Sequence, residues 1–263
     1  MLDNTIESPW LTNYQANPGA KIRLFCFPHA GSSASAFGLW SDRLAPEIEV
    51  WAIEYPGRGS RRAETAFVRI QALVSALFPH LCPALTKPFA VFGHSMGALI
   101  AFEFLRRLQL RGGPRPITLV AAACHAPSVP LRDPPIHALP EPDFVEELRS
   151  LNGTSSNILA DPQLLRLFLP TLRADLEAAE TYSYAAGPKL KCPITAYGGM
   201  TDSELLQEDI EPWRRETQGA FVLEMFPGDH FFLRTAETLV LKRLSRDLAT
   251  SGGLISSQAA RQT

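Results

Sequence analysis

The sequence lacks several features that would each indicate a class of protein. No apolar run approaches the roughly 20 residues of a membrane-spanning helix. The four cysteines of the 263-residue chain form no CxxC pair, so we expect no zinc site. A net charge of −2 provides no long-range attraction for nucleic acid or anionic lipid. The N-terminal stretch Met1–Glu7 is acidic and polar, which predicts no signal peptide and a cytoplasmic protein.

Short apolar runs alternate with amphipathic stretches along the chain. Several runs lack polar alternation, which is typical of strands covered on both faces. The stretches Phe67–Leu81 and Met96–Leu110 have the three- and four-residue apolar spacing of helices. The alternation predicts an α/β domain with a mostly parallel, doubly wound sheet. The candidate strands are Ile22–Phe27, Val50–Tyr55, Phe89–Phe92, Ile117–Ala122, Ile194–Tyr197 and Phe221–Phe226.

The alternation breaks between about 127 and 187. Prolines crowd the first part of this segment, and two helical patterns follow, at Asp143–Leu151 and Pro162–Tyr182. Asp161 has the side chain and position of an N-cap for the second pattern. Pro170 lies inside that pattern and is expected to kink or divide the helix.

We interpret this segment as a helical lid inserted into one domain that spans residues 1–250. Packing helices with no gating role are the alternative. The polar residues 251–263 predict a disordered tail. One apolar stripe of the segment could pack in a core or line an acyl channel: Leu164, Leu165, Phe168 and Leu172.

The most informative motif is Gly93-His94-Ser95-Met96-Gly97, between a candidate strand and a candidate helix. In this setting GxSxG forms a nucleophile elbow, a strained turn that lifts the serine hydroxyl above the carboxyl end of the sheet. An ordinary turn with a solvated serine is the alternative. The motif predicts that Ser95 is the nucleophile of an enzyme with the α/β-hydrolase fold.

A serine hydroxyl needs a base to accept its proton, and the base needs an acid to hold its tautomer. In this fold the three follow in the order Ser, Asp or Glu, His. The histidines downstream of Ser95 are His125, His137 and His230. Only His230 follows the last candidate strand, where the carboxyl edge of the sheet is expected, so His230 is the predicted base.

The predicted acid is Asp202, which follows the candidate strand Ile194–Tyr197 through a short Gly-Gly-Met-Thr turn. Glu204 and Asp229 are its rivals. Asp229 is the sequence neighbour of His230, so we expect its side chain to diverge from the imidazole ring.

An oxyanion hole requires two backbone N–H groups that point at the developing negative charge. We assign one to Met96, directly after the nucleophile. The other is assigned to Ala30, in the loop after the first candidate strand, with Gly31 as second choice. His29 is interpreted as shaping this loop, and His94 as an elbow residue that points into the core.

With these residues in place, the chain resembles the type II thioesterases that accompany modular polyketide synthases and nonribosomal peptide synthetases. The resemblance extends from Trp10 to about Leu233. It rests on Leu24-Phe25-Cys26-Phe27-Pro28-His29-Ala30-Gly31, Tyr55-Pro56-Gly57-Arg58, the GxSxG motif, Ala126-Pro127-Ser128, Leu169-Pro170-Thr171-Leu172-Arg173-Ala174-Asp175, Glu180-Thr181-Tyr182, Cys192-Pro193-Ile194 and Gly228-Asp229-His230-Phe231-Phe232-Leu233.

The resemblance implies hydrolysis of acyl groups from the phosphopantetheine thiol of carrier proteins. Ser95, Asp202 and His230 match the family's triad, and Ala30 and Met96 match its oxyanion donors. No metal or organic cofactor is implied, because phosphopantetheine belongs to the substrate. Three other functions stay open: a medium-chain fatty acyl thioesterase of a fatty acid synthase, a general carboxylesterase or lipase, and a non-catalytic binding protein.

Two further features follow from the resemblance. Serine at position 32 replaces a usual glycine, which would cost strain if the position required a positive φ. Carrier proteins of this kind are usually acidic, and the basic segment Arg58-Gly59-Ser60-Arg61-Arg62 is the candidate docking patch. The alternative is a solvated loop whose arginines make ordinary surface pairs.

Overall fold

The computed structural model describes residues 8–251, and the chain in this range builds one seven-stranded sheet. The strand order is β1-β3-β2-β4-β5-β6-β7; β1 is antiparallel to β3, and all other neighbours are parallel. The strands are β1 (Leu11–Thr12), β2 (Ile22–Phe27), β3 (Ile48–Ile53), β4 (Phe89–His94), β5 (Leu119–Ala122), β6 (Ile194–Gly199) and β7 (Phe221–Phe226).

The predicted α/β class and mostly parallel sheet are confirmed. Each of the six predicted strands is present, and the bounds are as predicted for β2 and β7 and shifted for the other four. The two-residue edge strand β1 was missed, because two residues carry no periodicity. The helices are α1 (Trp40–Arg43), α2 (Ile70–Leu81), α3 (Met96–Leu110), α4 (Glu141–Ser150), α5 (Ser156–Ala160), α6 (Pro162–Glu180), α7 (Gln207–Ile210), α8 (Phe232–Thr235) and α9 (Glu237–Ser251).

Helices cover both faces of the sheet. Successive side chains of a strand point to opposite faces, and in β2 Phe25 joins the cluster that includes α2 and α3, whereas Leu24 joins the cluster that includes α9. All six residues of β2 are buried for this reason. The lack of polar alternation in the sequence reflects this double burial.

Between β5 and β6 the chain forms α4, α5 and α6, which we call the helical insertion. It has an apolar core of its own, centred on Phe144 and Leu148 from α4 and on Leu169 and Leu172 from α6. The side chain of Asp161 caps α6 by accepting hydrogen bonds from the N–H groups of the second and third helical residues. Pro170 lies inside α6 without dividing it. The assignment of one domain with a lid stays a prediction.

The predicted tail lies outside the described residues, apart from the end of α9. Within residues 8–251, no helix is both long enough and apolar enough to cross a membrane. The central strands run parallel, so their carboxyl ends meet at one edge of the sheet, and the loops that follow β2, β4, β6 and β7 converge there.

Candidate active site

Ser95 occupies a strained turn between β4 and α3. Its backbone has φ 52° and ψ −121°, which a non-glycine residue rarely adopts. The Ser95 N–H donates to the carbonyl oxygen of Ala122 on the neighbouring strand, with 2.8 Å between nitrogen and oxygen. A Cβ atom at Gly97 would overlap the carbonyl oxygen of Phe27, so the helix start can approach β2 this closely only with glycine. The GxSxG segment thus forms the strained turn between strand and helix that the motif predicted.

His230 and Asp202 are hydrogen-bonded to each other, with 2.9 Å between His230 Nδ1 and Asp202 Oδ2. The Asp202 side chain is only 1% exposed. Its second oxygen, Oδ1, accepts hydrogen bonds from the backbone N–H groups of Glu204 (2.9 Å) and Leu205 (3.1 Å). The carboxylate is therefore held from both sides, and one oxygen is directed at the imidazole. His230 and Ser95 line the same cavity.

The three histidines around the elbow differ in their electrostatics. Burial disfavours the charged form of His230, but the hydrogen bond and charge of Asp202 outweigh burial, and the pKa of His230 is raised above its usual value. Burial lowers the pKa of His29 to about 4. Burial also lowers the pKa of His94 well below its usual value, as do the neighbouring imidazoles of His29 and His230. Of these three histidines, His230 is the one hydrogen-bonded to a carboxylate, which supports an imidazolium.

His29 and His94 hold the backbone around the site. His94 is buried and donates from Nε2 to the carbonyl oxygen of His230, 3.2 Å away. His29 donates from Nδ1 to the carbonyl oxygen of Ala30, 2.9 Å away. The ring of His29 lies edge-on to those of His94 and Phe231, with centroids 4.9 and 5.3 Å apart. These contacts agree with the loop-shaping and inward-pointing positions expected for the two histidines.

Neither rival acid, Asp229 or Glu204, is the carboxylate that is hydrogen-bonded to the His230 ring. Asp229 accepts hydrogen bonds from the Phe231 N–H (2.8 Å) and from Asn152 Nδ2 (3.3 Å), so its carboxylate diverges from the His230 ring as expected. Glu204 lies on the wall of the cavity, and burial, together with Asp202 and other nearby carboxylates, raises its pKa. Glu204 is thus at the site, but the carboxylate bonded to the imidazole is that of Asp202.

The rival histidines have other partners. His137 Nδ1 lies 2.5 Å from Glu180 Oε2 at the end of α6. His125 donates from Nδ1 to the carbonyl oxygen of Ala126, 3.0 Å away. Neither residue lines the cavity that contains Ser95.

The loop after β2 places Ala30 at the cavity that contains Ser95. Gly31 donates its N–H to Asp175 Oδ2 (2.7 Å), which removes the second-choice oxyanion donor. Among residues 8–251, no hydrogen bond uses the N–H of Ala30 or of Met96. Gly31 has φ +74°, whereas Ser32 does not have a positive φ, so the serine at position 32 costs no backbone strain.

The cavity above Ser95 is mostly apolar, and the helical insertion forms part of its wall. Leu172 and Leu176 from α6 line it, together with Leu148 and Leu151 at the end of α4. Residues 172 and 176 are four apart and therefore share one face of the helix. The spacing of Leu172 and Leu176 was visible in the sequence, but the predicted stripe ended at Leu172, one turn before Leu176.

The predicted stripe itself divides. Only Leu172 reaches the cavity. Leu165 and Phe168 pack against the insertion core, and Leu164 is 38% exposed. Both alternatives therefore apply to parts of the stripe, since Leu172 lines the cavity that contains Ser95 and Leu165 and Phe168 pack within the insertion.

Two of the three arginines in the candidate docking patch are buried, so neither a docking surface nor a solvated loop describes them. Arg58 and Arg61 are each only 6% exposed. Arg61 pairs with Glu64 (Nη2 to Oε2, 2.6 Å) and places its guanidinium 4.0 Å from the ring centroid of Trp10. Arg58 forms a bidentate pair with Asp175 of α6. Only Arg62 is exposed. Partners that lie far away in sequence bury the other two.

The comparisons with known proteins agree in one family. A model described as the thioesterase domain matches residues 22–248. The gramicidin S biosynthesis protein GrsT of Aneurinibacillus migulanus is 40% identical over 239 residues, which cover 91% of this chain and 93% of GrsT. The thioesterase PikA5 of Streptomyces venezuelae is 38% identical over 250 residues, which cover 93% and 87%.

Among solved structures, the type II thioesterase BorB from the borrelidin biosynthetic cluster is similar, with a TM-score of 0.84 and 40% sequence identity. The match covers 91% of this chain and 97% of BorB. The match to the family model, the identity to relatives and the shared fold lead to one conclusion. The chain belongs to the thioesterase family, among its type II members, and is a hydrolase that acts on thioesters.

Proposed function

We propose that Ser95, His230 and Asp202 form the catalytic triad of this thioesterase. The observation that carries the proposal is the 2.9 Å hydrogen bond between His230 and Asp202, in a cavity that also contains the strained Ser95. The Asp202 carboxylate accepts the Nδ1 proton, which leaves Nε2 of the neutral ring to act as the base. The raised pKa of His230 makes the ring a stronger acceptor for the serine proton.

The proposed reaction has two halves. His230 takes the proton of Ser95, whose oxygen attacks the thioester carbonyl, and the tetrahedral intermediate then expels the thiol with a proton from His230. Water, deprotonated by His230, attacks the acyl-enzyme and releases the free acid and Ser95. The N–H groups of Ala30 and Met96 are the proposed oxyanion donors. Neither N–H group donates to another group among residues 8–251, so both are available to a developing oxyanion. Each step uses only these side chains and backbone groups, with no metal or organic cofactor.

The proposed substrate is an acyl group on the phosphopantetheine arm of a carrier protein. The relatives support it by name, since GrsT belongs to gramicidin S biosynthesis and BorB to the borrelidin cluster. The apolar cavity wall suits an aliphatic acyl chain. Two roles follow from this substrate. One is removal of unproductive acyl groups from carriers, and the other is release of acyl groups from a polyketide or nonribosomal peptide assembly line.

The triad is tested with Ser95→Ala and His230→Ala. Each should lower kcat by roughly 10⁴ to 10⁶, and the double variant should be little worse, because the residues act as a unit. Ser75→Ala is the matched control, since this serine lies on the exposed side of α2. A fluorophosphonate probe should label the wild type and the control but not Ser95→Ala. If Ser95→Ala keeps more than about a tenth of the activity, the serine mechanism is wrong.

The substrate is tested with one panel of acyl chains presented in three forms: on a carrier protein, on coenzyme A and as oxygen esters. We expect the highest kcat/KM for the carrier-bound thioesters. Equal turnover of carrier and coenzyme A thioesters, with a maximum at medium chain length, would favour a fatty acyl thioesterase. Faster turnover of oxygen esters would favour a carboxylesterase.

A further inference from the structure

A buried carboxylate on α6 contacts the loop that carries Ala30. Asp175 is 2% exposed, and its Oδ2 atom accepts the N–H of Gly31 at 2.7 Å. Arg58 donates two hydrogen bonds to the same carboxylate, with 2.5 Å between Nη1 and Oδ2 and 2.7 Å between Nη2 and Oδ1. Arg58 Nη1 also donates to the carbonyl oxygen of Ser32, 3.2 Å away. The pair therefore holds the loop at two successive residues.

These contacts leave the loop with little freedom. The peptide group between Ala30 and Gly31 is fixed at both ends, because its carbonyl accepts from His29 Nδ1 and its N–H donates to Asp175. The preceding peptide group is fixed at its carbonyl, which accepts from the Ser32 N–H at 3.0 Å. The remaining polar group of that peptide is the N–H of Ala30, the proposed oxyanion donor. Its direction follows from the anchored groups on either side.

The same helix face packs against this loop and against the turn of Arg58. Leu172, one turn before Asp175, lies so close to Gly31 that a Cβ atom there would overlap its side chain. Thr171 donates from Oγ1 to the carbonyl oxygen of Gly57, with 2.7 Å between the oxygens. The middle of α6 thus contacts the loop that carries Ala30 through a hydrogen bond and packing at Gly31. It contacts the turn of Arg58 through an ion pair and a hydrogen bond. The wall of the cavity and the loop that carries Ala30 are therefore held together.

We infer that Asp175, supported by Arg58, is a positioning residue that sets the oxyanion hole by holding the N–H of Gly31. This inference rests on the proposed function. Asp175 touches neither the substrate nor the reacting atoms; it orients the Ala30 N–H through the loop. Preorganised donors stabilise the charge that develops in the transition state and contribute little to binding of the ground state. Loss of Asp175 should therefore lower kcat and leave KM nearly unchanged.

The test is Asp175→Asn, which has the same shape but offers one acceptor oxygen and no charge to Arg58. We expect kcat for an acyl thioester to fall about 10- to 100-fold, with KM within about threefold of wild type. This fall is smaller than the roughly 10²- to 10³-fold cost of losing an oxyanion donor outright, because the donor is misdirected rather than removed. A short-chain alkyl boronic acid, whose adduct with Ser95 is tetrahedral, should bind the variant more weakly by a similar factor. The affinity for the free product acid should stay unchanged.

The matched control is Glu49→Gln. Glu49 pairs with Arg23 at 3.0 Å, and both side chains are almost fully buried. The pair joins β2 and β3 near their amino ends, at the opposite edge of the sheet from Ser95. Glu49→Gln should lower the thermal midpoint and leave kcat and boronate affinity unchanged. If Asp175→Asn behaves like this control, or raises KM with kcat unchanged, the inference is overturned.

A second variant decides the question if Asp175→Asn does not fold. Arg58→Lys keeps a cation near Asp175, which still accepts the Gly31 N–H, but a single ammonium cannot hold both carboxylate oxygens and the Ser32 carbonyl. We expect a fall in kcat smaller than that of Asp175→Asn, and a wild-type kcat would overturn the inference. Ser95→Ala distinguishes failure of the proposed function from failure of this inference. Activity in Ser95→Ala refutes the proposed function. An inactive Ser95→Ala together with a fully active Asp175→Asn refutes this inference alone.

Discussion

Asp202→Asn removes the charge of the proposed acid while leaving its shape. In the native site Oδ1 accepts the two backbone N–H groups of Glu204 and Leu205, and an amide oxygen can accept both. The amide nitrogen then faces His230 Nδ1 and donates to it. The neutral ring must carry its proton on Nε2, so it cannot accept the proton of Ser95. We expect a folded variant whose kcat falls about 10⁴-fold, equivalent to about 5.5 kcal/mol of transition-state stabilisation.

The same variant should change how stability depends on pH. Because the folded pKa of His230 is raised, its pairing with Asp202 contributes stability that is fully present below the unfolded value and is lost as pH rises through the folded pKa. Asp202→Asn removes this contribution, so the variant should be destabilised more at pH 5 than at pH 9. Its residual kcat/KM should extend to lower pH than that of the wild type, because an imidazole without its carboxylate loses its proton at lower pH.

The assays are kcat/KM for a small acyl thioester from pH 5 to 9 and thermal melts at both ends of that range. Glu204→Gln is the matched control, since Glu204 lines the same cavity without bonding to His230. It should retain kcat within a few-fold of the wild type. A nearly wild-type Asp202→Asn together with a crippled Glu204→Gln would refute the assignment of the acid.

Three further outcomes are expected. Leu176→Phe should shift the preferred substrate to shorter acyl chains, because the larger side chain fills the cavity. Phe168→Ala should cost about 2 kcal/mol of stability and leave the chain-length profile unchanged. A chain-length profile that changes only in Phe168→Ala would contradict this assignment. Gly97→Ala should destabilise the fold by about 3 kcal/mol or more in a thermal or denaturant melt, because the added Cβ meets the backbone of Phe27 and neither backbone can yield; a wild-type midpoint would refute the close approach. The pKa of His29 is about 4 in the folded protein and about 6.5 in the unfolded chain. As pH falls below about 6.5, His29 becomes protonated in the unfolded chain but not in the folded protein, so stability is lost until pH reaches about 4. Between pH 7 and 4.5 this amounts to about 2 kcal/mol, and urea unfolding of His29→Gln should show a pH dependence smaller by that amount.

The sequence by itself determined the α/β class, the parallel strands and the residues that meet at one edge of the sheet. The reason is that these features are local: buried strands are short continuous apolar runs, and GxSxG gives Ser95 its backbone conformation within five residues. The carboxyl ends of parallel strands lie at the same edge of the sheet. The positions of His230 and Asp202 after two such strands were therefore enough to predict their contact. The resemblance to type II thioesterases rested on the same local segments.

Only the tertiary structure decided which groups surround that edge. In the sequence, Arg58 and Arg61 look like part of a basic surface segment, because the residues that they pack against, Asp175 and Trp10, lie far away along the chain. Likewise, the stripe of α6 did not reveal that Leu176 rather than Phe168 faces the cavity, since helical spacing gives a face but not what the face meets. Side-chain contacts over such separations depend on how the helical insertion packs on the sheet. That packing is a property of the whole fold, and no local pattern encodes it.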